Sequence, residues 1–297
     1  TRGYAAAITA ASATIGPIIP PSIPMVLYAL VSNTSIGALF LGGIVPGLFM
    51  GAVLMGMNWF ISHRRDFGTE EAVPLVELPA LTFRAFPALL MPAILLYGIY
   101  GGVTTPTEAA AVAAFYALIL AAAFYRALTL RNLYHILVDS ARSSAAVGIV
   151  IGGALILNFI VASENIPGLM ANALVDLDIH PLVFLLSVNV LILLLGCVLD
   201  ATTLILVIIP LFLPACRELG IDLVHFGVVA VVNCMIGLIT PPYGILLFVI
   251  NAVTKIPLAE IIREVIPFLV VLILALLTLI LFPGITLFLP RLLGYPG

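Results

Sequence analysis

Long apolar runs, separated by short stretches of polar residues, make up most of this chain. A helix needs about 20 apolar residues to cross the hydrocarbon core of a bilayer, and several of the runs approach or reach that length. The pattern therefore predicts an all-α membrane protein. Simple spans are expected at residues 36–61, 86–103, 107–125, 144–162 and 265–283.

Two further apolar runs, at residues 4–32 and 224–252, are interrupted by one shared pattern. In each, a glycine is followed four and five residues later by two prolines: Gly16 by Pro20 and Pro21, and Gly237 by Pro241 and Pro242. A proline inside a helix removes an amide donor and displaces the carbonyl four residues earlier. The pattern predicts two broken helices with free carbonyls at Gly16, Pro17, Gly237 and Leu238.

Paired broken helices point to the ion and substrate site of a secondary transporter. Main-chain polar groups without hydrogen-bond partners are tolerated at this depth in a bilayer only where they are buried in protein or line a water-filled cavity. A simple proline kink is the alternative for either helix alone. Threading the spans so that Lys and Arg collect on the cytoplasmic side leaves only Arg217 and Arg291 outside. The two broken helices then run in opposite directions. They form an inverted repeat in which Gly16 corresponds to Gly237 and Pro46 to Pro267.

The apolar pair 182–199 and 202–216 is predicted to form a re-entrant hairpin, because each arm is short for a full crossing. At its turn, Asp200 is suited to cap the second arm by accepting from the amide of Thr202 or Thr203. A helix start that faces a cavity offers amides to an anion. Turn carbonyls and threonine hydroxyls offer oxygens to a cation. Asp200 is also one of few carboxylates near a midplane position, where ionisable groups are usually functional.

Three other segments are predicted to have structural roles. Thr105, Pro106 and Glu108 have the spacing of a capping box with proline at the first helical position. Residues 167–178 are modestly amphipathic and too short to span, which predicts an interfacial arm. The stretch from Arg126 to Arg142 is expected to form a second surface helix on the inner side.

Composition narrows the function. With 63% hydrophobic and 8% charged residues, the chain is not a soluble domain, and no basic arm suggests a nucleic-acid partner. Neither a Gly-rich phosphate loop with lysine nor a protease or esterase motif is present, so ATP-driven transport and intramembrane hydrolysis are disfavoured. The three cysteines lack metal-ligand spacing. A passive channel remains an alternative, although occluded inverted hairpins suit alternating access better.

Four motifs, in order along nearly the whole chain, resemble the large membrane subunit of tripartite ATP-independent periplasmic (TRAP) transporters. They are residues 16–24, residues 105–110, residues 196–200 with Pro210 and Pro214, and residues 237–242. The resemblance implies sodium-driven uptake of organic acids such as C4-dicarboxylates or sialic acid across a bacterial inner membrane. It also implies two partners, a small membrane subunit and a periplasmic substrate-binding protein. A stand-alone sodium symporter for divalent anions is the alternative.

The same resemblance implies an elevator mechanism, with sodium held between each hairpin tip and its broken helix. Carried onto this sequence, one sodium site would use Gly196, Asp200, Thr202, Gly237, Thr240 and Pro241, and the other Gly16, Ile18, Pro20 and Ser22. The organic anion is expected to be held by Pro21, Ser22, Thr203 and Pro242.

The predicted organisation follows from the repeats. Residues 1–62 form the first repeat of a transport domain, residues 63–181 the scaffold spans with interfacial arms, and residues 182–297 the second repeat. Because the family's first hairpin and early scaffold helices precede the Arg-Gly-Tyr that is here Arg2 to Tyr4, the chain is expected to be N-terminally truncated. On this view it should not transport alone.

Overall fold

The computed structural model describes residues 2–65, 78–165 and 179–295, without the side chains of residues 84, 158 and 162. All regular secondary structure in these ranges is helical, which confirms the predicted all-α class. The helices are α1 (Arg2–Ala13), α2 (Ile23–Ser32), α3 (Ile36–Arg64), α4 (Leu78–Tyr100), α5 (Pro106–Ile119), α6 (Leu130–Ser163), α7 (Pro181–Gly196), α8 (Ala201–Glu218), α9 (Leu223–Gly237), α10 (Ile245–Thr254), α11 (Leu258–Leu281) and α12 (Pro283–Leu292).

Within the described ranges, five helical stretches are long and apolar enough to cross a membrane. They are Ile36–Arg64, Pro106–Phe124, Leu130–Val161, Ala201–Glu218 and Leu258–Leu281. The second of these continues α5 through a π-helical turn, and the fourth is the second arm of the predicted hairpin. That arm is therefore longer than the sequence analysis expected. The set is consistent with a multi-pass membrane protein.

Two elements differ from the sequence prediction. The surface helix predicted from Arg126 to Arg142 is wrong as a separate element, because α6 runs without a break from Leu130 to Ser163. This stretch contains no proline to interrupt it. Helix α12 was not predicted, because the prolines at 283 and 290 argue against a helix. A proline at the first helical position, as at 283, is nevertheless well suited to a helix start. The predicted arm at 167–178 lies outside the described residues.

The chain divides into two compact units, Arg65–Gly148 and the remainder. In the first, α4 packs on α5, and the Tyr116 hydroxyl donates to the Pro87 carbonyl at 2.8 Å. The capping box at the start of α5 is confirmed: the Glu108 amide donates to Thr105 Oγ1 at 3.3 Å, and the Thr105 amide donates to the Glu108 carboxylate at 2.8 Å. These residues have the structural role that the sequence predicted.

The other unit, Thr1–Arg64 with Ile149–Gly297, is built around the two broken helices. The first half of each packs on the second half of the other, α1 on α10 and α2 on α9, so the broken helices run in opposite directions. The Tyr28 hydroxyl of α2 donates to the Leu223 carbonyl at the start of α9 at 2.7 Å. Its ring lies in the space that a Cβ on Gly227 would occupy. Helices α3 and α11 pack on each other and carry the matched prolines Pro46 and Pro267.

Candidate functional site

The second helix break separates α9 from α10 and spans residues 238–244. The amide of Thr240 donates to the Gly237 carbonyl at 3.0 Å, and the amide of Leu246 donates to the Leu238 carbonyl at 3.0 Å. The prediction that these two carbonyls are free is therefore wrong. The prediction assumed that the chain stays helical through the prolines. Instead, a tight turn follows Gly237, and Gly244, in the left-handed region with φ of 42°, leads into α10.

The first break separates α1 from α2 and spans residues 14–22. Ser22 caps α2, because its Oγ accepts from the Met25 amide at 3.3 Å, and the same hydroxyl donates to the Pro17 carbonyl. The Pro17 carbonyl is thus also bonded, contrary to prediction. The Gly16 carbonyl accepts no hydrogen bond from the residues that the structure describes, as predicted. Both breaks contain a cis Pro-Pro peptide bond, Pro20-Pro21 in the first and Pro241-Pro242 in the second.

Helices α7 and α8 fold back on each other around the turn at residues 197–200. The rings of Phe184, near the start of α7, and Phe212, late in α8, lie 6.4 Å apart, so the two arms are antiparallel. The predicted cap is confirmed. Asp200 accepts from the Thr203 amide at 3.1 Å and from the Thr203 hydroxyl at 2.5 Å. Helix α8 is irregular near Pro210, with a π-helical turn followed by a 3₁₀ turn.

The turn of this hairpin meets the second break through a contact between two glycines. A Cβ placed on Gly237 would lie 2.9 Å from the Cα of Gly196 and 3.0 Å from its carbonyl oxygen. A Cβ on Gly196 would in turn lie 3.3 Å from the Gly237 Cα. The two main chains therefore touch, which brings together Gly196 and Gly237, two of the residues predicted for one sodium site. The first residues of α8 pack on α9 and also on α2, the helix that Ser22 begins.

The predicted residues differ in how accessible they are. Gly16, Pro21, Asp200 and Pro242 are exposed, whereas Ile18, Pro20, Ser22, Gly196 and Gly237 are buried. Thr202, Thr203, Thr240 and Pro241 are half-buried. The described residues contain no cluster of three His, Cys, Asp or Glu side chains suited to a metal. A cation held here would therefore depend mainly on carbonyl and hydroxyl oxygens, with Asp200 as the one candidate carboxylate; oxygens of this kind are typical ligands at broken helices in transporters.

Two buried polar pairs near these elements were missed by the sequence analysis. Asn189 of α7 contacts Asn233 of α9, and His225 of α9 contacts Thr286 of α12. The available signal was an isolated asparagine in each of two apolar runs, at the hairpin arm and at the broken helix. Polar side chains inside membrane segments usually face protein and form hydrogen bonds with one another, so such a pair was predictable in kind.

Comparison with known proteins supplies an independent line of evidence. The family described as "Tripartite ATP-independent periplasmic transporter, DctM component" matches residues 1–285. The chain is 43% identical over 293 residues to the sialic acid TRAP transporter large permease protein SiaM of Vibrio cholerae, covering 98% of this chain and 69% of that protein.

Two other relatives are named for different substrates. Identity is 39% over 293 residues to the C4-dicarboxylate TRAP transporter large permease protein DctM of Pseudomonas aeruginosa, covering 99% of this chain and 69% of that protein. It is also 39%, over 292 residues, to the isethionate TRAP transporter permease protein DctMQ of Oleidesulfovibrio alaskensis, where 97% of this chain matches 46% of that protein.

Proposed function

This chain belongs to the DctM component family of tripartite ATP-independent periplasmic transporters, and from that membership we propose that it is the membrane subunit of a sodium-coupled symporter. It imports a small organic anion that a periplasmic binding protein delivers. A small TRAP membrane subunit braces it in the bacterial inner membrane. Sodium is the driving ion, and ATP has no direct role.

The observation that carries this proposal is the contact between the hairpin turn and the second break. Gly196 lies directly on Gly237, so the main chains at the ends of two helices meet without intervening side chains. Broken helices of this kind hold substrates and coupling ions in secondary transporters. One proposed sodium site therefore combines Gly196, Asp200 and Thr202 with the strip from Gly237 to Pro241. The Thr240 hydroxyl donates its hydrogen to the Ile236 carbonyl at 2.8 Å, which leaves its lone pairs for a cation.

The second proposed sodium site lies at the first break. The carbonyl of Gly16, which is exposed and accepts no hydrogen bond from the described residues, is the strongest candidate ligand. Ile18, Pro20 and Ser22 are the others, although the Ser22 hydroxyl already bonds to the Pro17 carbonyl. The anion would lie between the two breaks, near Pro21, Ser22, Thr203 and Pro242, where the capped start of α8 offers its amides.

We further propose that the hairpin is re-entrant and that its unit moves as an elevator. Support comes from the packing. The start of α8 contacts both α2 and α9, and the Arg217 guanidinium donates to the Ser32 carbonyl at 3.3 Å. Hairpin and broken helices are thus joined into one body suited to move together. The relatives are named for sialic acid, C4-dicarboxylates and isethionate, all organic acids, so this class is the proposed substrate.

Reconstitution of the complete transporter in liposomes tests the proposal. Uptake of a labelled organic acid should require an inward sodium gradient and the binding protein, and should not respond to ATP. Gly237→Val should raise the sodium concentration that gives half-maximal uptake, because its side chain would enter the space occupied by Gly196. Gly56→Val is the matched control, since no atom lies within 4 Å of a Cβ at that position of α3. Sodium-independent uptake by the intact complex would refute the proposal.

A further inference from the structure

The contact surface between α7 and α9 contains a second feature besides the glycine pair, a pair of buried asparagines. The side chain of Asn189 is 4% exposed and that of Asn233 is 0% exposed. Asn233 Nδ2 donates to the main-chain oxygen of Asn189 at 2.6 Å and to its Oδ1 at 2.9 Å. Asn189 Nδ2 donates to the Leu185 carbonyl at 2.8 Å. Because Gly196 contacts Gly237 further along both helices, α7 and α9 run side by side in the same direction.

The hydrogen bonds determine how both amides are oriented. Turning the Asn233 amide over would place its oxygen against the two oxygens of Asn189, and turning the Asn189 amide over would place its oxygen against the Leu185 carbonyl. Both hydrogens of Asn233 Nδ2 are therefore used in the pair. Its Oδ1 is buried and meets no donor in the part of the chain that the structure describes.

Stability alone does not account for this pair. A buried oxygen without a donor destabilises a fold, and apolar residues of similar size pack at least as well at such positions. What the amides add is a set of hydrogen bonds that can form at only one position of one helix along the other. The glycine contact has no side chains, and most other residues of both helices are aliphatic, so the polar hydrogen bonds between the two helices come from this pair. A shift of one residue would move a helix by about 1.5 Å and break both bonds of Asn233 Nδ2.

We propose that Asn189 and Asn233 are positioning residues that fix the axial register of the hairpin on α9. By holding that register they seat Gly196 on Gly237 and keep the turn at residues 197–200 beside the second break. The consequence for transport rests on the proposed function: the pair maintains the affinity of the nearby sodium site without contacting the ion. The register itself does not depend on what the site binds.

Alanine substitutions should have graded effects in the complete transporter. Asn233→Ala removes both bonds and should raise the sodium concentration for half-maximal uptake about tenfold, the equivalent of one or two hydrogen bonds, with little change in maximal rate. Asn189→Ala keeps the main-chain acceptor and should have a smaller effect. Asn58→Ala is the control, because it also removes one hydrogen bond, to the Tyr4 hydroxyl at 2.6 Å, away from the contact between α7 and α9. Equal sodium dependence in all three variants would overturn the inference.

Hydrogen exchange provides a readout that does not require transport. Without sodium, the amides of residues 197–200 should exchange faster in Asn233→Ala than in the parent or in Asn58→Ala, and unchanged exchange would contradict the register role. If Asn233→Ala does not fold, Asn233→Leu restores the packing volume and should show the same faster exchange at unchanged or higher Tm. If uptake by the parent transporter does not depend on sodium, the proposed function is refuted. The hydrogen-exchange data alone then test the register role of the asparagines.

Discussion

The two helix breaks share a sequence pattern but differ in what covers them. At the second break, Gly237 is buried against the main chain of Gly196 at the hairpin turn. At the first, Gly16 is exposed, and a Cβ there would meet only the Ala13 carbonyl, at 3.6 Å. The glycine of this pattern therefore serves two purposes. It permits the chain to leave the helix at both breaks, and it admits a second main chain at one of them.

The breaks also satisfy their carbonyls by different means. In the second, main-chain amides of Thr240 and Leu246 bond the carbonyls of Gly237 and Leu238. In the first, the Ser22 side chain bonds the Pro17 carbonyl, while the Gly16 carbonyl accepts nothing among the described residues. One break is thus closed by local main-chain bonds and the other by a helix cap. Equivalent substitutions in the two breaks should therefore have unequal effects.

The largest difference is expected between the two glycines themselves. Gly237→Ala should lower the free energy of unfolding by about 3 kcal/mol, because its Cβ would lie 2.9 Å from the Gly196 Cα and neither main chain yields easily. Gly16→Ala should be neutral or raise stability by up to about 1 kcal/mol, since Ala restricts the unfolded chain. Thermal unfolding of the purified protein in detergent measures both. Equal losses would show that the breaks are equally covered.

A comparable effect is expected where helix α3 supports the first break. A Cβ on Gly43 would lie 2.5 Å from the Ile18 carbonyl and 2.5 Å from Cε of Met25, and only the methionine end can move aside. Gly43→Ala should therefore cost about 3 kcal/mol, as at Gly237, because the Ile18 carbonyl belongs to the main chain. Gly51→Ala in the same helix is the control, since its nearest contact, Ile15 Cδ1, lies at an ordinary 3.8 Å. If both variants unfold at the same temperature, α3 does not hold the first break closely.

Removing one side-chain hydroxyl from each break gives a finer comparison of how the two breaks are stabilised. Ser22→Ala should lower stability by about 1 kcal/mol, because it loses a helix cap and the bond to the Pro17 carbonyl. Thr240→Val should cost less, about 0.5 kcal/mol, since the Ile236 carbonyl keeps a main-chain donor in Ile239. Thr240→Val should nevertheless weaken sodium-dependent uptake if its oxygen is a ligand. Unfolding temperatures and sodium titrations of the same preparations separate the two effects.

The smallest stability change is expected at the hairpin turn. Asp200→Asn should leave stability nearly unchanged, because asparagine caps helices about as well as aspartate, while Asp200→Ala should cost about 1 kcal/mol. A cation beside Asp200 would be bound less tightly in both variants. Thr105→Ala, which removes a cap at the start of α5, is the control that lowers stability without affecting sodium dependence. Uptake by Asp200→Asn with parental sodium affinity would exclude this carboxylate from the site.

Much of the architecture could be predicted because it depends on local rules. Run length identified four of the five long apolar helices, the Gly–Pro–Pro pattern identified both breaks, and cap spacing identified the roles of Thr105 and Asp200. The predicted span at 86–103 is instead a shorter apolar stretch of α4, from Ala85 to Tyr100.

The bonding of the breaks could not be predicted in the same way. Whether the carbonyl of Leu238 is free depends on the path of the chain eight residues later, at Leu246. The effect of proline on a helix predicts which main-chain hydrogen bonds are lost. It does not predict which hydrogen bonds the following turn forms in their place.

Contacts between distant elements were the other limit. The alignment of the two breaks suggested that Gly16 and Gly237 are equivalent, yet only three-dimensional packing reveals that one meets Gly196 and the other meets open space. The pairing of Asn189 with Asn233 joins residues 44 positions apart and likewise has no local sequence signature. Sodium sites are predicted from the resemblance and remain predictions.

Helix α9 is buried on every side from Val224 to Gly237, with α7, α11 and α12 among its neighbours. During synthesis this helix is made before α11 and α12 exist, so part of its surface must at first face lipid or other protein. These later segments therefore complete its enclosure. Biogenesis of this unit cannot finish until residues 258–292 have been translated and inserted.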